Sequence, residues 1–125
     1  MKNTANLRHL QPHEWKALID LVTRLRQRFP ETIRHVWLFG SKVRGDSDAE
    51  SDIDLLIVVD DYNWPLEKDI TCLTTLTDYA YDVVLSDHVV STARFQQMAA
   101  RREPLYRSLE REGIDLWTLE PQPIT

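Results

Sequence analysis

Two aspartates, Asp52 and Asp54, stand one residue apart at the head of an apolar run, Asp52 to Val59 (DIDLLIVV). On a strand, positions i and i+2 face the same side. Both carboxylates then project together, while Ile53 and Leu55 point into a core. Two carboxylates ~4 Å apart repel by roughly 1 kcal/mol in water and ~4 kcal/mol at a partly shielded site. Full exposure makes that cost small and needs no function. A divalent cation is the other explanation, because Mg²⁺ takes one or two carboxylates and completes its shell with substrate phosphates.

A second feature lies just upstream. Gly40 and Gly45, two of the chain's three glycines, flank Ser41-Lys42-Val43-Arg44 directly after the apolar run Ile33 to Phe39. A strand that runs into Gly-Ser and a helical turn presents backbone N–H groups suited to phosphate oxygens. Ser41 adds a hydroxyl, and Lys42 and Arg44 add positive charge. A tight turn with incidental basic residues has the same composition. The segment is not a Walker A loop, since Asp46 stands where its lysine belongs.

Asp82 is the candidate third carboxylate. It opens Asp82-Val83-Val84-Leu85, read as a strand able to lie beside Asp52 and Asp54. Three carboxylates can share two Mg²⁺ ions and support in-line displacement at phosphorus. Asp60, Asp61 and Asp87 sit at strand exits and Asp78 falls in a helical pattern, so Asp82 is preferred.

These residues need elements to hold them. Trp15, Leu18, Ile19, Val22, Leu25 and Phe29 trace one face of a helix from Pro12 to Phe29, stopped by Pro30. Ile33–Phe39 and Asp52–Val59 read as strands, the second apolar enough for a central position. Trp64-Pro65 opens a helix to about Tyr79, with Leu66, Ile70, Leu73 and Leu76 at 3/4 spacing. A further helix is capped by Ser91 or Thr92, divided near Pro104 and ended by Gly113. A short strand, Ile114–Trp117, follows. The order predicts an α/β (α+β) fold with a small mixed sheet covered by helices. One domain is expected, with its core at about 12–118 and a frayed tail at 119–125.

Composition sets limits on function. The chain has 125 residues, 15 Lys+Arg and 20 Asp+Glu, for a net charge of -5. That balance disfavours a general nucleic-acid binder. Seven of the acids lie between Asp46 and Asp61, which hold no Lys or Arg. The negative charge is therefore local to the candidate metal site. No run approaches a membrane span and Met1–Leu10 has no signal-peptide core. The single cysteine, Cys72, excludes an internal disulfide and fits a reducing, cytoplasmic compartment. Cys72 is read as a buried small hydrophobe. Trp64 is read as packed against its helix start, with base stacking as the alternative.

The joint pattern, Gly40-Ser41-Lys42-Val43-Arg44-Gly45 through Ser51-Asp52-Ile53-Asp54-Leu55, resembles the signature of the DNA polymerase beta-like nucleotidyltransferases. It looks in particular like the minimal nucleotidyltransferases, the antitoxins of HEPN/MNT pairs. The resemblance covers about Thr32 to Ser86 and implies a polymerase beta-like palm fold. It implies that Gly40, Ser41 and Arg44 hold nucleotide phosphates, and that Asp52, Asp54 and Asp82 bind two Mg²⁺ ions. Asp82 would also help activate the attacking hydroxyl. The implied activity is transfer of AMP from ATP to a tyrosine of a HEPN-type RNase toxin, with possible oligomers in complex with that toxin. Two other readings stand beside it: an antitoxin that neutralises by binding alone, and a small-molecule nucleotidyltransferase of the antibiotic-modifying kind.

Overall fold

A computed structural model describes residues 9–46 and 51–118. The elements run α1 (Pro12–Arg28), β1 (Ile33–Phe39), α2 (Ser41–Arg44), β2 (Ile53–Val59), α3 (Trp64–Tyr81), β3 (Leu85–Ser91), α4 (Thr92–Ala100), α5 (Pro104–Glu112) and β4 (Ile114–Asp115). The strands form one mixed sheet in the order β3-β2-β1-β4. β2 is central, antiparallel to β1 and parallel to β3.

Strand alternation divides the core into two layers. Ile33, Val36 and Leu38 of β1, with Ile53, Leu55, Ile57 and Val59 of β2, pack with α1 and α3. Trp37, Leu56 and Val58 face the other way and pack with Met98 and Leu109 of α4 and α5. Every residue of β2 except Asp54 is buried, as its apolar run requires of a central strand. Ile53 and Leu55 enter the core as the alternation predicts, at 1% and 0% exposure.

Several predicted elements shift. Asp82 does not open a strand. It is the C-cap of α3, in the left-handed conformation at φ 55°, with its N–H on Asp78 O. The strand begins only at Leu85. Asp78 is the cause: its backbone oxygen also accepts from Val83 N–H, and its side chain accepts from Leu85 N–H. The apolar residues after Asp82 thus begin in a helix-to-strand turn. The final strand is also short, Ile114–Asp115, where Ile114–Trp117 was expected. The expected tail at 119–125 lies outside the described residues.

The core face of α3 also differs from the apolar spacing. Ile70, Leu73, Thr74 and Thr77 are buried, whereas Leu76 is 59% exposed. The threonines tolerate burial because their hydroxyls are satisfied. Thr77 Oγ1 donates to Leu73 O, and Thr74 Oγ1 to Thr71 O and Asp87 Oδ1. Cys72 is correspondingly exposed rather than buried. It lines an open groove with Trp64, Lys68, Thr71 and Leu76.

Other signals hold. Ser91 caps α4, its Oγ accepting from Arg94 N–H. Pro104 opens α5 and so divides the last helical segment. Gly113 ends α5, but its φ of -65° is ordinary. Space explains that glycine: an added Cβ would lie 2.6 Å from Leu109 O.

Candidate active site

Gly40 and Asp54 meet directly. Phe39 pairs with Asp54 across β1 and β2, so the chain leaving β1 turns over the start of β2. A Cβ built on Gly40 would lie 2.2 Å from Asp54 Oδ2. Gly40 also holds φ 89°, a region that L side chains rarely adopt. Both observations require glycine at this position. The turn continues into α2 and ends at Gly45, which is left-handed at φ 89°.

Asp52 and Asp54 belong to the face of β2 that carries Leu56 and Val58. Leu56 and Val58 lie beneath α4 and α5, whereas Asp54 is half-buried and Asp52 exposed. Burial and then the neighbouring Asp52 carboxylate push the Asp54 carboxyl above its ordinary range. His88 and Arg44 pull it the other way. The pair is therefore a site of concentrated negative charge, partly withdrawn from water, which a hard cation would relieve.

Two acidic residues outside the motif hold the turn in place. Glu112, the last residue of α5, is buried at 7% exposure. Its Oε2 accepts from Gly40 N–H at 2.7 Å and from Arg44 Nη1 at 2.9 Å. Arg44 Nε also pairs with Asp46 at 3.2 Å. Glu14 of α1 is buried against Lys42, with Oε2 to Nζ at 2.6 Å and both side chains almost fully enclosed. Lys42 is thus a packing residue beneath the turn. Sequence reasoning named neither acid. Glu14 and Lys42 lie 28 positions apart and Glu112 and Gly40 lie 72 apart, beyond the reach of any periodicity.

Three of the four rival carboxylates, Asp60, Asp78 and Asp87, have partners of their own. Asp87 accepts from Thr71 and Thr74 on the α3 side of the sheet, away from Asp54. Asp60 pairs with Arg34 at 2.6 Å, at the far end of β2. Asp78 caps Leu85 N–H. Asp82 is exposed at the α3–β3 turn, two residues before Val84, whose carbonyl accepts from Ile53 N–H. It shares the Asp52 end of the sheet. Among the described residues no group of three His, Cys, Asp or Glu side chains is gathered closely enough to hold a metal. The structure brings together Gly40, Arg44 and Asp54, with Asp52 beside them, and leaves Asp82 on the adjoining turn.

Trp64 is 66% exposed, so it is not packed at its helix start. It begins α3 at the opposite end of β2 from Asp54. Five strand steps, Asp54 to Val59, already span about 16 Å, which removes Trp64 from base stacking at this site.

Comparisons with known proteins place the chain in a family. The model of the family described as "Nucleotidyltransferase domain" matches residues 18–111. A protein from Methanocaldococcus jannaschii named "Putative protein adenylyltransferase" is 36% identical over 86 residues, covering 68% of this chain and 81% of that protein. A chain in a solved structure described as a toxin–antitoxin with AMP-PNP is similar in fold, with a TM-score of 0.53 and 21% identity. The match covers 88% of this chain and 76% of that one. Three quarters of the sequence lies within the family match, which includes both the Gly40 turn and Asp54; the chain belongs to the nucleotidyltransferase domain family and is a nucleotidyltransferase.

Proposed function

We propose that this enzyme transfers AMP from ATP to a tyrosine hydroxyl of a HEPN-type RNase toxin and so acts as its antitoxin. The observation that carries the reading is the seating of Gly40 against the Asp54 carboxylate. It puts the phosphate-suited turn and the paired aspartates within one nucleotide's reach. In this reading Gly40 and Ser41 restrain the leaving pyrophosphate, and Arg44 contacts phosphate. Asp52, Asp54 and, from the adjoining turn, Asp82 would supply carboxylates to two Mg²⁺ ions, and Asp82 would also help activate the attacking hydroxyl. The donor set fits that metal: oxygen ligands only, with one carboxylate already disfavoured as a bare anion. Bound Mg²⁺ would neutralise charge on the phosphates.

The step balances simply. The acceptor oxygen forms a bond to the α-phosphorus, and the bond from that phosphorus to the β-phosphate bridge breaks. Pyrophosphate leaves and the hydroxyl proton passes to the base. Positioning and electrostatics dominate such a transfer, so a small domain suffices. We read the chain as one functional unit with its core at about 12–118. The M. jannaschii relative's name favours a protein acceptor over a small molecule. The toxin–antitoxin with the similar fold names the class of acceptor to try first.

The test uses the purified chain, Mg²⁺-ATP and the protein encoded beside it. Intact mass should show AMP added to that partner by wild type and none by Asp52→Asn/Asp54→Asn. A partner that never gains an AMP mass, with the two enzymes behaving alike, would reject catalysis. Rescue of cells by the double variant would favour neutralisation by binding alone.

A further inference from the structure

We propose that Glu112 is a positioning residue for nucleotide binding, acting through Gly40. This deepens the nucleotidyltransfer reading and rests on it. Three observations converge. Glu112 is a buried carboxylate at the end of α5, far in sequence from the site. One of its oxygens accepts both the Gly40 N–H and an Arg44 N–H. Gly40 in turn lies against β2, where any side chain on it would meet Asp54 Oδ2.

The Gly40 peptide is thereby fixed from both sides, by contact with Asp54 and by a charge-assisted hydrogen bond to Glu112. That bond consumes the Gly40 N–H. The role of Gly40 is then to set the path of the turn, so that Ser41 meets the phosphates, the N–H groups of Val43, Arg44 and Gly45 being bonded within the turn. Arg44 is steered by the same carboxylate, but its long side chain can follow a displaced partner. The Gly40 bond cannot follow, because the backbone is held on β1 and β2.

Two conservative variants separate these roles. Glu112→Gln keeps a side-chain oxygen at full reach for Gly40 and removes the charge facing Arg44. Glu112→Asp keeps the charge and withdraws it by one methylene, beyond the 2.7 Å bond to Gly40. The probe is Mg²⁺–AMP-PNP, titrated calorimetrically into the full chain, with thermal melts of each variant alongside. Glu112→Asp and Glu112→Ala are expected to weaken binding at least tenfold, and Glu112→Gln less than threefold.

The opposite ranking, with Asp harmless and Gln harmful, would assign Glu112 a purely electrostatic role and overturn the proposal. Lowered melting temperatures with unchanged affinity would assign it to the fold and overturn it too. So would a Glu112→Asp variant that no longer folds. Failure of the wild-type chain itself to bind the probe would instead reject the nucleotide reading on which the proposal stands.

Discussion

Asp54 is held in an unfavourable state by its surroundings, and the consequence has a sign. Its carboxyl is raised by burial and by Asp52, so the native state binds that proton more tightly than the unfolded chain does. Ionisation then costs stability. The loss begins as pH rises through the ordinary carboxylate value and is complete above the raised one. Asp54→Asn should therefore melt higher than wild type at pH 7, and the difference should vanish below the ordinary carboxylate value. Melting curves across pH, without divalent metal, check this. A variant that is less stable at neutral pH would show that Asp54 makes a favourable contact instead. Gly40 carries the complementary constraint. Gly40→Ala forces a positive φ with extended ψ, a region essentially confined to glycine and costing about 1–3 kcal/mol, and drives a methyl into Asp54. Transfer activity should fall by two orders of magnitude or more, and urea unfolding should shift by roughly that energy.

Elements, rather than single residues, decide how the turn is held. α2 is only four residues long and is supported by α1 through Lys42–Glu14 and by α5 through Arg44–Glu112. Breaking a buried ion pair by removing one partner typically costs about 3–5 kcal/mol, because the other charge is left without compensation. Lys42→Ala should destabilise by that order in urea unfolding. The Asp52 and Asp54 motif itself was legible because strand alternation is strictly local: i and i+2 share a face whatever surrounds them. The same locality made Ile33–Phe39 readable to the residue. Asp82 was misplaced because an apolar Val-Val-Leu run looks alike in a strand and in a turn held by Asp78. Glu112 and Glu14 were invisible because a buried acid is defined by its distant partner, and nothing in its neighbours announces one.

The whole molecule is a mixed sheet whose acids are concentrated in one stretch of sequence, with Asp52 and Asp54 at one end of β2 and Asp60 at the other. Acids between Asp46 and Asp61 dominate the net -5, and the remaining chain holds 13 acids against 15 bases. Two of the five arginines between Arg94 and Arg111 form ion pairs, Arg94 with Glu103 and Arg102 with Glu110. Among the described residues no helix is long and apolar enough to cross a membrane. Mg²⁺ with nucleotide should bind the native state and raise its melting temperature. At a ligand concentration 100 times Kd the gain is about 2.7 kcal/mol. Asp52→Asn/Asp54→Asn should lose that gain.

The most direct test of the central claim follows the phosphorus. The chain, its neighbouring toxin candidate and Mg²⁺ are incubated with ATP labelled at either the α- or the γ-phosphorus, and protein-bound label is measured. Adenylyl transfer predicts label on the partner from the α-position only. Label from the γ-position, or none from either, would contradict it.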